Sequence, residues 1–141
     1  MFRKKVLFCV DKKSKEDLCL YRLEKAKNTY KSAQVLFEIE DYSGANNRAY
    51  YAIFYAIRAV LALERVDFKK HKDVIAYFNQ YYVNTEIFPK KMGRKISQAQ
   101  YAREKSDYED GYIVSNDKAK EQLDSAKELI ELVEEYLNKI T

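Results

Sequence analysis

Apolar residues recur along most of this chain at spacings of three and four, which return a side chain to one face of an α-helix. Leu23, Ala26, Tyr30, Ala33 and Phe37 follow that spacing. Ser14, with Asp17 three residues on, forms an imperfect capping box, so the pattern predicts a first helix from Ser14 to about Asp41. A second helix is expected from an N-cap at Ser43 to about Arg65. Its Ala45, Ala49, Ala52, Ala56 and Ala59 form a stripe of small residues that lets a neighbour approach closely. Tyr51, Phe54, Tyr55 and Leu61 fill its other directions, so residues 47–61 are apolar on almost every face. Such a helix belongs in the centre of a bundle. Asp67 is expected to cap a third helix over residues 68–83, with Val74, Ile75, Phe78, Tyr81 and Tyr82 as its apolar face. A loop over 84–93 holds the single proline, Pro89, and a more polar fourth helix spans about 94–109, ended by Gly111. Ser115 is the expected cap of the last helix. There Ala119, Leu123, Ala126, Ile130, Val133, Leu137 and Ile140 alternate spacings of four and three, the seam of antiparallel bundle packing or a coiled-coil contact.

Residues 1–13 do not share this periodicity. Val6-Leu7-Phe8-Cys9-Val10 lies between basic residues and fits a short strand, a docked arm or a frayed tail. The expected organisation is an N-terminal extension over 1–13 and one helical domain over 14–141. Three glycines and one proline in 141 residues leave little material for tight turns, which supports long helices. With 47% hydrophobic residues the chain can bury a core. The reading is all-α, an antiparallel up-and-down bundle of four long helices with a fifth short one.

The formal charge of +4 permits nucleic acid as a partner without demanding it. Cys9 and Cys19 have no metal-ligand spacing and read as free thiols of a reducing cytoplasm. The apolar run at 6–10 is too short for the core of a secretory leader, and no segment approaches the ~20 apolar residues of a membrane span. One histidine cannot supply the paired Glu-x-x-His motifs of a di-iron bundle, and no glycine-rich phosphate loop occurs. No metal or cofactor is expected.

The candidate chemistry lies in the arginines and the single His71. Lys69-Lys70-His71-Lys72 opens the third helix, where backbone N–H groups favour anions. Neighbouring positive charge should lower the imidazole pKa and keep the ring neutral, able to act as a general base. A solvated histidine in a lysine-rich turn fits the same letters. Arg65 stands six positions before His71. Arginine holding a phosphate while histidine moves a proton suits metal-free RNA cleavage. A helix C-terminal arginine placed on the dipole fits that position equally. Arg58 lies one turn from Phe54 and can stack on a ring. Arg103 and Asp107, followed by Tyr108, form an i,i+4 pair, or else reach across the bundle to Arg48 or His71.

Three segments together resemble the HEPN domain, a small helical domain found beside nucleotidyltransferases in bacteria and archaea. They are Asn47-Arg48-Ala49-Tyr50-Tyr51-Ala52-Ile53-Phe54-Tyr55-Ala56, Lys70-His71-Lys72-Asp73-Val74-Ile75 and Arg103-Glu104-Lys105-Ser106-Asp107-Tyr108. The resemblance implies the same bundle, a homodimer with its site near the subunit contact, and a toxin-like, metal-independent endoribonuclease or nucleotide-binding protein. A separate nucleotidyltransferase would hold it in check. It implies His71 and Arg65 as the catalytic pair, matching the family's Arg-x4–6-His spacing. Arg48, Lys70, Lys72, Arg103, Asp107 and Tyr108 would contact nucleotide or RNA. The alternative is a non-catalytic dimeric module that binds nucleotide or protein, dimerising through the alanine stripe or a tyrosine face.

Overall fold

The computed structural model describes the backbone from Lys4 to Ile140 and side chains from Ser14 onward. Helix α1 spans Lys4–Glu38, α2 Tyr42–Ala62, α3 His71–Phe78, α4 Lys91–Tyr108 and α5 Asn116–Ile140. A π-helical turn, Asn79–Val83, continues α3. No strand occurs among the described residues. The first helix therefore starts ahead of Ser14. Residues 4–13 contain neither glycine nor proline, and Ser14 and Asp17 are ordinary interior positions of α1. The side chains of residues 1–13, and with them the expected arm, lie outside the described residues.

The helices run up and down. Ser43 at the start of α2 meets Ser106 at the end of α4, hydroxyl to hydroxyl at 3.0 Å. Asn116 at the start of α5 donates to the Tyr42 hydroxyl at 2.8 Å. Lys27 of α1 pairs with Glu134 of α5. So α1 and α4 point one way, and α2 and α5 the other. Helix α2 is central, as its all-round apolar sequence requires, and packs against all four other helices. Its alanine stripe, Ala45 to Ala59, is fully buried. That corrects one element of the alternative reading: the stripe brings α2 against its neighbours inside the subunit and is no surface for a second copy. The α5 seam is buried from Ala119 to Leu137, with Ile140 half exposed.

Two turns differ from expectation for one reason. Helix α1 ends with Glu40 in the left-handed region at φ 65°, and Asp41 N–H reaches back to the Leu36 carbonyl at 2.8 Å. Helix α2 ends the same way, with Arg65 at φ 58° and Val66 N–H on the Leu61 carbonyl at 3.1 Å. Both are Schellman closures with a non-glycine residue in the left-handed place. The first delivers Asp41, not Ser43, as the cap of α2: its carboxylate accepts from Gly44 N–H at 2.9 Å. The second stops α2 at Ala62 and leaves Asp67 in a loop, so α3 begins only at His71, after Lys70. Ser115 caps α5 as expected, accepting from Lys118 N–H at 3.1 Å.

Candidate functional site: a histidine against the aromatic face of α2

The first helical residue of α3 is His71, and its ring turns inward. It stacks on Phe54 with centroids 3.9 Å apart and meets Tyr51 edge-on at 5.8 Å. Its Nδ1 lies 3.1 Å from the Tyr50 hydroxyl. Tyr50, Tyr51 and Phe54 project from one turn of α2, so a short stretch of sequence builds three walls around the imidazole.

Arg103 of α4 closes this group from the other side. Its guanidinium lies 5.4 Å from the Tyr50 ring centre and 5.6 Å from that of Tyr51, and Nη2 donates to the Tyr51 hydroxyl at 3.2 Å. Its Nε faces Asp107 Oδ2 at 2.9 Å. The other carboxylate oxygen of Asp107 accepts from the Asn47 amide at 3.4 Å. Helices α2 and α4 are thus tied by a chain of polar contacts that runs Asn47, Asp107, Arg103, Tyr51. Beside it opens a cleft of ≈ 630 Å³ whose lining includes Ser43, Asn47, Arg48, Tyr51, Ser106 and Asp107.

A second knot fixes the loop that carries His71. Asp67 Oδ2 accepts from Arg58 at 2.5 Å and from Arg22 at 3.4 Å, while Oδ1 accepts the Phe68 N–H at 2.9 Å. Arg22 also donates to the Arg58 carbonyl at 3.1 Å. Arg58 spreads over the Phe54 ring at 5.8 Å, on which His71 is stacked. Burial would raise the Asp67 pKa, but the hydrogen bonds from Arg58 and Phe68 and both arginine charges outweigh it and hold the carboxyl below its usual range.

Burial lowers the His71 pKa first, and the charges of Arg103 and Arg58 add to it. The direction is the one expected, but the cause is this aromatic enclosure and these two arginines rather than the adjacent lysines. Burial pushes the Tyr50 hydroxyl up to about 12, so it stays protonated beside the imidazole. A neutral ring that donates Nδ1–H to Tyr50 presents the Nε2 lone pair for proton transfer.

The HEPN domain model matches residues 20–136. The chain belongs to the HEPN domain family. A Methanocaldococcus jannaschii protein named as a toxin candidate is 38% identical over 86 residues, 61% of this chain and 64% of that protein. A UPF0332 protein of Thermotoga maritima is 28% identical over 123 residues, 87% of this chain and 93% of its own. A second M. jannaschii toxin candidate is 25% identical over 115 residues, 82% and 78% of the two chains. This chain thus spans just under two thirds of the first relative and most of the other two. The HEPN match covers the cluster and cleft described above.

Within this HEPN bundle the sequence-predicted residues divide. His71, Arg103 and Asp107 come together, and Arg48 lines the cleft next to them. Lys70 and Lys72 flank His71 and are exposed, as is Tyr108 at 77%. Arg65 sits in the closing turn of α2, and the guanidinium charges that bear on the imidazole are those of Arg103 and Arg58. Tyr50, Tyr51 and the Arg22–Asp67–Arg58 knot were not legible as site residues. An aromatic residue inside an apolar helix reads as core filling whether or not a histidine lies on it. Among the described residues, no cluster of His, Cys, Asp and Glu has the makings of a metal site, and no helix is long and apolar enough to cross a membrane.

Proposed function

We propose that this HEPN protein is a toxin-like, metal-independent endoribonuclease of the cytoplasm, acting as a homodimer and checked by a separate nucleotidyltransferase. The observation that carries the reading is the inward-facing His71, stacked on Phe54 and within hydrogen-bond distance of Tyr50, with its pKa lowered by burial and by the charge of Arg103, which lies over the same Tyr50 ring. The toxin naming of two relatives supports the toxin-like role. In the reaction the 2′-hydroxyl oxygen of RNA attacks the adjacent phosphorus while His71 takes its proton. The P–O5′ bond breaks, a 2′,3′-cyclic phosphate forms, and the imidazolium returns the proton to the leaving 5′-oxygen. Arg103 and Arg48 are the cations placed to hold the phosphate, with Lys70 and Lys72 beside the helix start. Asp107 orients Arg103, and Tyr50 orients the imidazole. Tyr108 is exposed for contact with a base. Arg65 is retained as a phosphate contact of the family spacing, to be tested against Arg103.

The place of Arg65 in a helix-closing turn favours a second reading, a non-catalytic dimeric nucleotide-binding module that uses the same cleft. The test is cleavage of a mixed RNA pool in EDTA by wild type, His71→Ala and Arg103→Ala. Cleavage by wild type that falls at least 100-fold in His71→Ala supports the nuclease. A folded wild type that binds nucleotide and cleaves nothing leaves the binding module.

A further inference from the structure

Away from the cleft, three aromatic rings form a row on the surface. Phe68, Tyr77 and Tyr81 lie with ring centroids 5.7 and 4.5 Å apart along the row. Phe68 and Tyr81 are 40% and 47% exposed. Tyr77 between them is half-buried against the core, so the row presents two exposed rings braced by a third. The row is also held in place. The Tyr77 hydroxyl donates to Glu64 at 2.8 Å, and Phe68 N–H donates to Asp67, itself clasped by Arg58 and Arg22. The step from Tyr77 to Tyr81 crosses from α3 into the π-helical turn, a distortion found often at functional positions.

Phe68 is followed at once by Lys69 and Lys70, and Lys72 comes after His71. All three lysines are exposed. Exposed aromatic rings followed in the chain by exposed lysines match single-stranded nucleic acid, whose bases stack on aromatic rings while its phosphates meet cations. A duplex keeps its bases stacked on each other and offers no face to the rings.

We propose that Phe68, Tyr77 and Tyr81 form a base-stacking track for single-stranded RNA, contiguous in the chain with the His71 turn. The inference rests on the RNA reading above. The test is fluorescence anisotropy of a labelled 2′-O-methyl oligouridylate 12-mer, which cannot be cleaved, alongside a blunt duplex of equal length. A 2′-O-methyl dinucleotide, long enough only for the cleft, serves as a third probe. The variants are the double Phe68→Ala, Tyr81→Ala and the ring-preserving Tyr81→Phe. The double variant should bind the 12-mer at least about ten-fold more weakly, with dinucleotide affinity and thermal unfolding unchanged. Tyr81→Phe should bind as wild type does. Unchanged 12-mer affinity in a double variant that still binds the dinucleotide would overturn the track and leave the cleft reading standing. Wild type holding the duplex as tightly as the single strand would do the same. Wild type that binds neither single-stranded probe would sink both readings. Loss of self-association in the double variant, with RNA affinity intact, would reassign the row to a protein contact.

Discussion

At the scale of single residues, His71 makes a prediction with a definite sign. Its folded-state pKa lies below the ordinary value of 6.5 because burial and two arginines disfavour the imidazolium. Over the window from 6.5 down to that depressed value, the unfolded chain binds more protons than the folded one. Stability contributed by neutral His71 is therefore complete above 6.5 and is lost as pH falls. Urea unfolding of wild type and His71→Asn at pH 7.5 and pH 5 should show wild type losing its advantage on acidification. An identical gap at both pH values would mean that the ring is solvated. Arg65 makes a second prediction. A non-glycine residue at φ 58° is strained, so Arg65→Gly should stabilise the fold by roughly 0.5–1 kcal/mol. If Arg65 holds a phosphate, the same variant gains stability and loses cleavage; if the cleft relies on Arg103, cleavage persists. Neither outcome was legible in the Arg-x5-His spacing, because a helix-closing arginine and a phosphate-binding arginine look alike as letters.

At the scale of elements, caps and turns decide where each helix begins. Asp41 accepts from Gly44 N–H, and an added Cβ at Gly44 would run into that carboxylate. Asp41→Ala should cost about 1 kcal/mol in chemical denaturation, and Ser43→Ala clearly less. The reverse order would restore Ser43 as the cap. Periodicity found all five helices and the α5 seam, because 3.6 residues per turn leave a local trace in which positions are apolar. It missed the starts of α1, α2 and α3, and it set the start of α4 at about 94 where the helix begins at Lys91. Ser14, Ser43 and Asp67 all have side chains able to cap, and the choice among such residues depends on the turn that precedes them. Asp67, a good cap by type, is instead held by Arg22 and Arg58, 45 and 9 residues away in sequence.

At the scale of the whole molecule, net charge says less than charge placement. Arg48 lines the cleft and is exposed, so it is placed to neutralise one phosphate. On single-stranded RNA, the slope of log affinity against log salt should become shallower by about 0.7 in Arg48→Ala. An unchanged slope would remove Arg48 from the phosphate path. The bundle also explains why the cleft holds its shape. Helix α2 lies in the centre with its alanine stripe buried, and α4 is tied to it through Tyr51, Arg103, Asp107 and Asn47.

The all-α class, the five helices, the central place of α2 and the HEPN resemblance can all be read from the order of the amino acids. These follow from local periodicity, from the scarcity of glycine and proline, and from short motifs that need no partner to be seen. The packing of His71 on Phe54 and Tyr50, the action of the Arg103 and Arg58 charges on it, and the interior place of the alanine stripe arise from tertiary packing. Those facts depend on how α2, α3 and α4 are rotated against one another. Side chains far apart in the chain set that rotation by packing together, and no window of sequence contains them.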